Sequence, residues 1–421
     1  MTAEPKNVPF VALRYRDFRL WWFGQLISQS GSAMQTLAIN WQISVLTGFN
    51  PVALGLVGLS RFIPIVIFSL VGGAVADERD RRKLLIATQS MLAVLAAVLG
   101  LLTSAGLAVV WPIYAISALS AATLAFNNPA RQALIPALLP REHLANALSL
   151  NSVMGQMATI GGALLGGVLI GLYGTSIVYW LNAVSFLAVI AALFAMRPAP
   201  QESRRRASVG SVREGLRFVF HQPIILSTML LDFVATFFSS ANQLLPIFAA
   251  QILNVGAVGL GALTAATSIG SFMAGGTMGF VARVKKPGQV ILYSVAVYGL
   301  ATVLFGLSRD FAISLLLLGM TGAADTVSTI LRGTIRQLVT PDEMRGRMTS
   351  VNMIFFMGGP QLGEMEAGMV AAAFGVPFAI VSGGIATVVL TLWIARRYPG
   401  LRRYTSDTMN EDRVRVAQAG A

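Results

Sequence analysis

Five ionisable residues interrupt long apolar stretches of the chain, and they are the residues most able to take part in chemistry there. They are Arg61, Asp232, Asp325, Glu364 and Glu366. Ionisable groups are costly inside a lipid bilayer, so they mark proton or ion pathways unless they pair between helices. All five are candidates for proton coupling. For Arg61 and the two glutamates both roles stay open, whereas Asp325, seven residues before Arg332, favours a structural pair.

Asp232 is the first candidate for a proton carrier. It lies nine residues after Pro223, where the seventh apolar stretch begins. At 1.5 Å per helical residue, that position is about 14 Å into the stretch and close to the bilayer midplane. A carboxyl group at that depth can serve as a proton relay. We therefore predict that Asp232 couples transport to a proton gradient.

Two polar stripes run along the first and seventh apolar stretches. Their residues recur at spacings of three and four, which places each stripe on one face of a helix. The first stripe comprises Gln25, Ser28, Ser32, Gln35 and Thr36, and the second comprises Asp232, Thr236, Ser239, Ser240 and Gln243. Polar faces in membranes either line a substrate cavity or join helices by hydrogen bonds. Both interpretations are open for these stripes.

Membrane-spanning helices must position these side chains. The 421 residues are 55% hydrophobic and 12% charged, against about 25% charged in soluble domains. Twelve spans are predicted near 18–46, 52–76, 83–105, 108–128, 144–172, 175–196, 223–252, 256–282, 287–307, 311–333, 346–374 and 376–396. The chain is therefore predicted to be an all-α membrane protein.

An internal repeat at an offset of 201 residues divides the chain into two halves. Arg131, Pro140, Glu142, Ser149, Asn151, Gly162, Gly167 and Gly174 match Arg332, Pro341, Glu343, Ser350, Asn352, Gly363, Gly368 and Gly375. Both copies fall on one side of the membrane, as in parallel repeats. We predict a cytoplasmic N-terminus (1–17), a six-helix bundle (18–196), a linker (197–222), a second six-helix bundle (223–397) and a cytoplasmic tail (398–421).

The basic residues set the predicted topology. Of the 31 lysines and arginines, all but Arg61 and Arg309 fall on one side of the predicted spans. By the positive-inside rule both termini are cytoplasmic, here of a bacterial inner membrane. The net charge of +13 therefore does not predict nucleic-acid binding, because it is dispersed over short loops. The Arg204-Arg205-Arg206 run is a solvated linker or a contact to anionic lipid headgroups.

The sequence lacks the residues that nucleotide-binding, cysteine-ligated metal and membrane-embedded catalytic sites require. No lysine follows a glycine, so the chain has no phosphate-binding Gly-x-x-x-x-Gly-Lys loop. It has no cysteine, and His143 and His221 fall in predicted loops. We therefore predict no enzyme activity, no cofactor and no metal site. At the end of the tenth span, Thr340, Pro341 and Glu343 predict a capping box that starts the eleventh helix.

Two glycine motifs resemble the major facilitator superfamily. The loop after the second span carries Gly73, Asp77, Arg81 and Arg82 at the spacing of that superfamily's signature loop, although Glu78 and Asp80 depart from it. The fifth span carries Gly155, Gly162, Gly166 and Gly167, similar to the glycine element of antiporter branches, with Ala163 in place of a proline. Close helix packing alone also explains these glycines.

With Arg131-Gln-Ala-Leu-Ile-Pro and Gly363-Glu-Met-Glu-Ala-Gly, the chain resembles the enterobactin-exporter-like, drug-efflux branch over nearly its whole length. The resemblance implies twelve helices in two bundles, alternating access, and proton-driven export of amphipathic small molecules. It also implies that the first and seventh spans line the central cavity, that the Asp77 loop gates the cytoplasmic side, and that the second and eleventh spans meet.

On that implied contact, Arg61 is predicted to pair with a glutamate of the eleventh span. Arg61 lies ten residues from Pro51, and Glu364 lies ten from Phe374, so both are about 15 Å deep. Glu364 and Glu366 are about 200° apart around a helix, so only one of them can face Arg61. Depth favours Glu364 and the small-residue face favours Glu366; we predict Glu364.

The resulting prediction is a monomeric, proton-coupled exporter whose partners are a small-molecule substrate, protons and the lipid bilayer. A proton symporter that imports a polar solute would use the same fold. A membrane receptor or scaffold without transport is a third class, but the intramembrane charges would then have no purpose.

Overall fold

The computed structural model of the protein describes residues 10–197, 209–239, 241–277, 284–409 and 411. This part of the chain is helical and has no strand. Its long helices are α1 (Arg16–Leu46), α2 (Pro51–Glu78), α3 (Arg81–Ser104), α4 (Val110–Leu134), α5 (Leu144–Tyr173), α6 (Thr175–Ala195), α7 (Pro223–Phe238), α8 (Gly256–Thr277), α9 (Pro287–Leu307), α10 (Phe311–Val339), α11 (Asp342–Phe374) and α12 (Val376–Arg397).

The predicted fold class is confirmed, and each predicted span overlaps one of these helices. Among the described residues, ten helices are long and apolar enough to cross a membrane. The remaining two, α1 and α11, are long enough but more polar, because they carry the first polar stripe and the Glu364–Glu366 segment. Polar residues are therefore concentrated on particular helices.

The predicted seventh span, 223–252, matches one candidate membrane span of the structure, but it is not one regular helix. Helix α7 ends at Phe238, and a 3-10 turn (Ala241–Leu244), a short helix (Leu245–Ile247) and a π-helical turn (Phe248–Ile252) follow. Pro246 has no backbone N–H for an i→i−4 bond, and its ring clashes with a regular helix. The chain therefore passes through irregular turns between α7 and α8.

The predicted end of the tenth span is wrong. Helix α10 continues to Val339, so Arg332 and Arg336 lie inside it and are buried, rather than in a cytoplasmic loop. The predicted N-cap, Thr340, lies one residue before the observed one, and its hydroxyl donates a hydrogen bond to the Arg336 carbonyl; the side chain of Glu343, the other residue of the predicted capping box, lies outside the described residues. Pro341 instead occupies the N-cap position of α11 without a side-chain cap.

The N-terminal unit groups the described residues of Met1–Ile39 and Ile67–Arg206. In this unit α3 packs against α4 and α6, and α5 packs against α6. Phe18, Trp21, Leu85 and Leu193 lie in its apolar core. The Trp22 indole donates a hydrogen bond to the Leu150 carbonyl at 3.0 Å.

The C-terminal unit groups Asn40–Val66 with the described residues of Ala207–Ala421. Here α8 and α9 both pack against α10, α9 packs against α12, and α7 packs against α11 and α12. A linker helix (Val209–His221) packs against α7 and α11 through an apolar cluster that includes Val219, Met229 and Val351. Segment 40–66, which is part of the predicted 18–196 bundle, is grouped with this unit by its contacts, and the bounds of the two bundles stay a prediction.

Candidate functional site

A cluster of four charged side chains lies inside the C-terminal unit, and three of them, Asp232, Arg332 and Arg336, are buried. Oδ1 of Asp232 on α7 lies 3.1 Å from Nη2 of Arg332, and Oδ2 lies 3.6 Å from Nη1 of Arg336, both on α10. The two arginines are four residues apart and therefore share one helix face. Asp232 is thus held between two guanidinium groups.

Arg332 is shared between two carboxylates. Its Nη2 atom also lies 3.6 Å from Oδ1 of Asp325 and 2.9 Å from Oγ1 of Thr329. Its Nε and Nη1 atoms are buried without a hydrogen-bond partner in the described part of the chain. The polar contacts found for this buried cation are therefore concentrated on one nitrogen.

The cluster joins three helices. Arg336 also donates to the Asn352 side-chain oxygen on α11 at 2.5 Å. Two aspartates and two arginines balance to zero net charge, which is the arrangement in which charges are tolerated inside a membrane bundle. The structural pairing expected for Asp325 is therefore present, but its arginine also binds Asp232.

A polar cavity of about 90 Å³ lies beside Asp325 in the same unit. This exceeds the volume of about 15 Å³ that one water requires, but it is far below the range of about 300–1,000 Å³ typical of drug-sized ligands. Its lining comprises Ser239, Asn242, Thr267, Ser271, Tyr298, Thr302, Phe305, Leu318, Thr321, Gly322 and Asp325. The cavity can hold water or a small ion, but not an amphipathic substrate.

The break after α7 contributes to this cavity. The Tyr298 hydroxyl on α9 donates to the Ser239 carbonyl at 3.3 Å. The Ser239 hydroxyl shares a hydrogen bond with Thr387 on α12 at 2.8 Å. Oγ1 of Thr267, another lining residue, is buried and has no hydrogen-bond partner within the described residues.

A second charged site lies where α2 meets α11. Oε2 of Glu364 is buried and has no hydrogen-bond partner in the described part of the chain. A Cβ atom added to Gly58 would lie 2.7 Å from it, so the carboxyl group packs directly on α2. The charges of Arg61 and Glu364 are close enough to interact, and Glu366 is half-buried on the same helix.

The α1 stripe does not form one uniform surface. Gln25 and Ser28 are buried in the N-terminal unit, Ser32 and Gln35 are half-buried, and Thr36 is exposed. The Gln35 side-chain oxygen accepts a hydrogen bond from Asn182 on α6 at 2.6 Å. Part of the stripe therefore joins helices, and its proposed contact with substrate concerns the less buried residues.

The α7 stripe is divided in a similar way, and one of its members, Ser240, lies outside the described residues. Asp232 and Ser239 face the interior contacts described above, and the Thr236 hydroxyl donates to the Asp232 carbonyl at 2.8 Å. Gln243 is buried after the break in α7; it donates to the Leu54 carbonyl at 2.9 Å and accepts from Asn40 at 3.2 Å. The irregular turns thus place Gln243 against segment 40–66.

The signature loop is described in part. Gly73 and Asp77 lie on the α2 backbone, but their side-chain surroundings are outside the described part of the structure. Arg81 donates to the Ala133 carbonyl and Arg82 to the Phe194 carbonyl, each at 3.2 Å. Those carbonyls lie in the last turns of α4 and α6, where cations offset the helix dipole.

The fifth-span glycines differ in their surroundings. A Cβ atom at Gly162 would lie 2.5 Å from the Ser30 carbonyl, and one at Gly166 would lie 3.2 Å from Met34, both on α1. Gly167 is also buried, whereas Gly155 has open space around it. Close packing of α5 on α1 accounts for Gly162 and Gly166.

Sequence reasoning paired Arg332 with Asp325 but missed its contact with Asp232, and it missed Arg336 and Tyr298 as members of the charged site. Both arginines were assigned to a loop because the tenth span was ended too early. The spacing of four residues between Arg332 and Arg336 was the signal that could have found Arg336. Tyr298 gave no such signal, since its partner Ser239 lies on another helix.

Comparisons with known proteins agree with this architecture. A nucleoside transporter structure superposes with a TM-score of 0.75 at 12% identity, covering 91% of this chain and 99% of that chain. A xylose transporter of E. coli in an inward-open conformation superposes with a TM-score of 0.72 at 11% identity, covering 94% and 98%. The fold is that of the major facilitator superfamily transporters.

The family follows from sequence. Residues 7–417 match the family model described as transmembrane secretion effector, and the chain belongs to that family. It is 26% identical over 396 residues to an enterobactin exporter of Citrobacter koseri, covering 92% of this chain and 93% of that protein. It is also 26% identical over 395 residues to an enterobactin exporter of Salmonella typhimurium, with the same coverage. The protein is therefore a multi-pass membrane transporter. The family predicted from sequence is confirmed, and so is the prediction that the protein is a transporter and not an enzyme.

Proposed function

We propose that the protein is a secondary active exporter that uses an inward proton gradient to expel amphipathic small molecules of the siderophore or drug type. The observation that carries this proposal is the charged cluster of Asp232, Asp325, Arg332 and Arg336 beside a polar cavity. Charges are retained inside membrane bundles where ions or protons pass. The sequence also lacks the phosphate-binding loop that ATP-driven transport would require.

The substrate class rests on a different observation. The relatives named above are enterobactin exporters, and they align over more than nine-tenths of this chain. The cavity beside Asp325 is too small for such a molecule, so substrate and coupling ion would occupy separate places. We propose that the accessible parts of the α1 and α7 stripes, including Ser32, Thr36 and Thr236, contact the substrate.

The proposed setting is the bacterial inner membrane, with both termini in the cytoplasm and a monomer as the working unit. The two six-helix bundles at 18–196 and 223–397 would alternate access by moving against each other. Loops rich in arginine and lysine on one side support this orientation. In this scheme Arg61 and Glu364 pair when the outer side is closed and separate when it opens.

Purified protein in proteoliposomes tests the proposal. With a proton gradient imposed in either direction, uptake or release of a catecholate siderophore and of a cationic amphipathic dye is measured, together with internal pH. Opposed movement of protons and substrate is expected. Movement of both in the same direction would favour the importing symporter, and substrate flux that is unaffected by a proton gradient would refute proton coupling. Asp407→Asn, which removes a carboxyl group outside the long helices, serves as a control variant and should transport like wild type.

A further inference from the structure

One guanidinium nitrogen serves two carboxyl groups in the C-terminal unit. Nη2 of Arg332 lies 3.1 Å from Asp232 and 3.6 Å from Asp325, while Nε and Nη1 have no hydrogen-bond partner in the described part of the chain. An unsatisfied charged donor is expensive when it is fully buried. Arg332 therefore stands between two competing acceptors and satisfies neither fully.

The two acceptors differ in access to water. The Asp232 side chain is 4% exposed, whereas the Asp325 side chain is 44% exposed and lines the cavity. Asp232 also holds a second cation, Arg336, which Asp325 does not contact. Water in the cavity can therefore deliver a proton to Asp325, but it has no comparable approach to Asp232.

We propose that Asp325 is the proton acceptor, that the cavity is its water-filled approach, and that proton uptake transfers Arg332 wholly to Asp232. The inference rests on the proposed function and assigns its coupling step to particular atoms. It moves the role of proton carrier from Asp232, the candidate favoured by sequence, to a residue that sequence favoured as structural.

The step is a single proton transfer. A hydrated proton in the cavity forms an O–H bond on a carboxyl oxygen of Asp325, and a water molecule is left behind. The charge of the cluster rises from zero to plus one. Among the described residues, the ionisable groups that face Asp325 are Asp232 from α7, Tyr298 from α9 and Arg332 from α10, and Arg336 joins the cluster through Asp232. Helix α8 contributes Thr267 and Ser271 to the cavity lining, and neither side chain is titratable.

The transfer changes which helices are tied together. Asp325 and Arg332 are both on α10, so their contact lies within one helix. Asp232 is on α7, so its contact with Arg332 joins two helices. Before proton uptake the Arg332 guanidinium is shared between Asp232 and Asp325. After proton uptake it binds Asp232 alone and so strengthens the α7–α10 contact. Release of the proton from Asp325 restores the shared arrangement.

Infrared difference spectroscopy tests the assignment without substrate or transport. Protein reconstituted in lipid, with carbon-13-labelled aspartate, is measured between acidic and alkaline buffer for wild type, Asp325→Asn, Asp232→Asn and Asp407→Asn. One band of a desolvated, protonated aspartate is expected in wild type, in Asp407→Asn and in Asp232→Asn. It should be lost in Asp325→Asn.

A conservative variant protects the test against misfolding. Asp325→Glu keeps the carboxyl group, so the band should disappear from aspartate-labelled protein and reappear in glutamate-labelled protein. Loss of the band in Asp232→Asn with retention in Asp325→Asn would overturn the inference, as would a wild type without the band. If wild type shows the Asp325 band but transports no substrate under a proton gradient, the proposed function fails and the assignment stands.

Discussion

Gly58 on α2 packs directly against the carboxyl group of Glu364 on α11. A Cβ atom at Gly58 would lie 2.7 Å from Oε2 of Glu364 and 2.8 Å from the Gln361 carbonyl oxygen. Nearby, a Cβ at Gly368 would lie 2.7 Å from the Pro51 carbonyl oxygen. Small residues let two helices approach closely in a membrane. Here they also bring a buried carboxyl group to the partner helix.

The first prediction concerns this close approach. Gly58→Ala is expected to destabilise the protein by about 1–3 kcal/mol, because the α11 backbone has to shift to accept the methyl group. Thermal unfolding of purified protein, followed by circular dichroism, measures the change. Gly155→Ala is the matched control: it lies inside a helix with open space around it, so it should be neutral or stabilising by up to about 1 kcal/mol.

The second prediction concerns the partner of Arg61. Arg61→Glu and Glu364→Arg should each abolish transport, because each leaves two like charges facing one another, and the double swap should restore part of it. Transport in proteoliposomes measures all three variants. The same swap made with Glu366 is the control. If the Glu366 swap recovers activity and the Glu364 swap does not, Glu366 is the partner; recovery by neither would leave Arg61 to another role.

The third prediction concerns Arg332. Arg332→Met should destabilise the protein by about 3–5 kcal/mol, because it leaves the buried Asp232 with one fewer cation and removes the partner of Asp325. Unfolding midpoints in detergent measure the loss. Adding Asp232→Asn to Arg332→Met should recover part of the stability, since the uncompensated charge is then removed. A double variant as unstable as the sum of both single changes would show that the residues are not coupled.

The fourth prediction sets an exposed pair against the charged cluster. Arg347 on α11 pairs with Glu214 of the linker helix, and their side chains are 36% and 55% exposed. Exposed pairs contribute about 0.2–1 kcal/mol. Glu214→Gln should therefore shift the unfolding midpoint only slightly, and less at high salt. A loss as large as that of Arg332→Met would mean that the linker helix depends on this pair to dock.

The sequence by itself determined the fold class, and it predicts the depth of each charge. Apolar stretches long enough to span, the repeat at 201 residues and the one-sided basic loops all indicate two parallel six-helix halves. Because the helical rise is fixed at 1.5 Å per residue, the depths of Arg61, Asp232 and Glu364 follow from counting. The helical period likewise places Asp325, Arg332 and Arg336 on one face of a helix. The predicted end of the tenth span, before Arg336, concealed this arrangement.

Only the tertiary structure decided which faces meet. Asp232 joins Arg332, a hundred residues later in the chain, because α7 and α10 approach at that height. The break after Phe238 places Ser239 beside Tyr298 and Gln243 against segment 40–66. The helical period fixes neighbours within a helix. Neighbours across helices depend on rotation, crossing angle and the small residues at each contact, which sequence spacing does not specify.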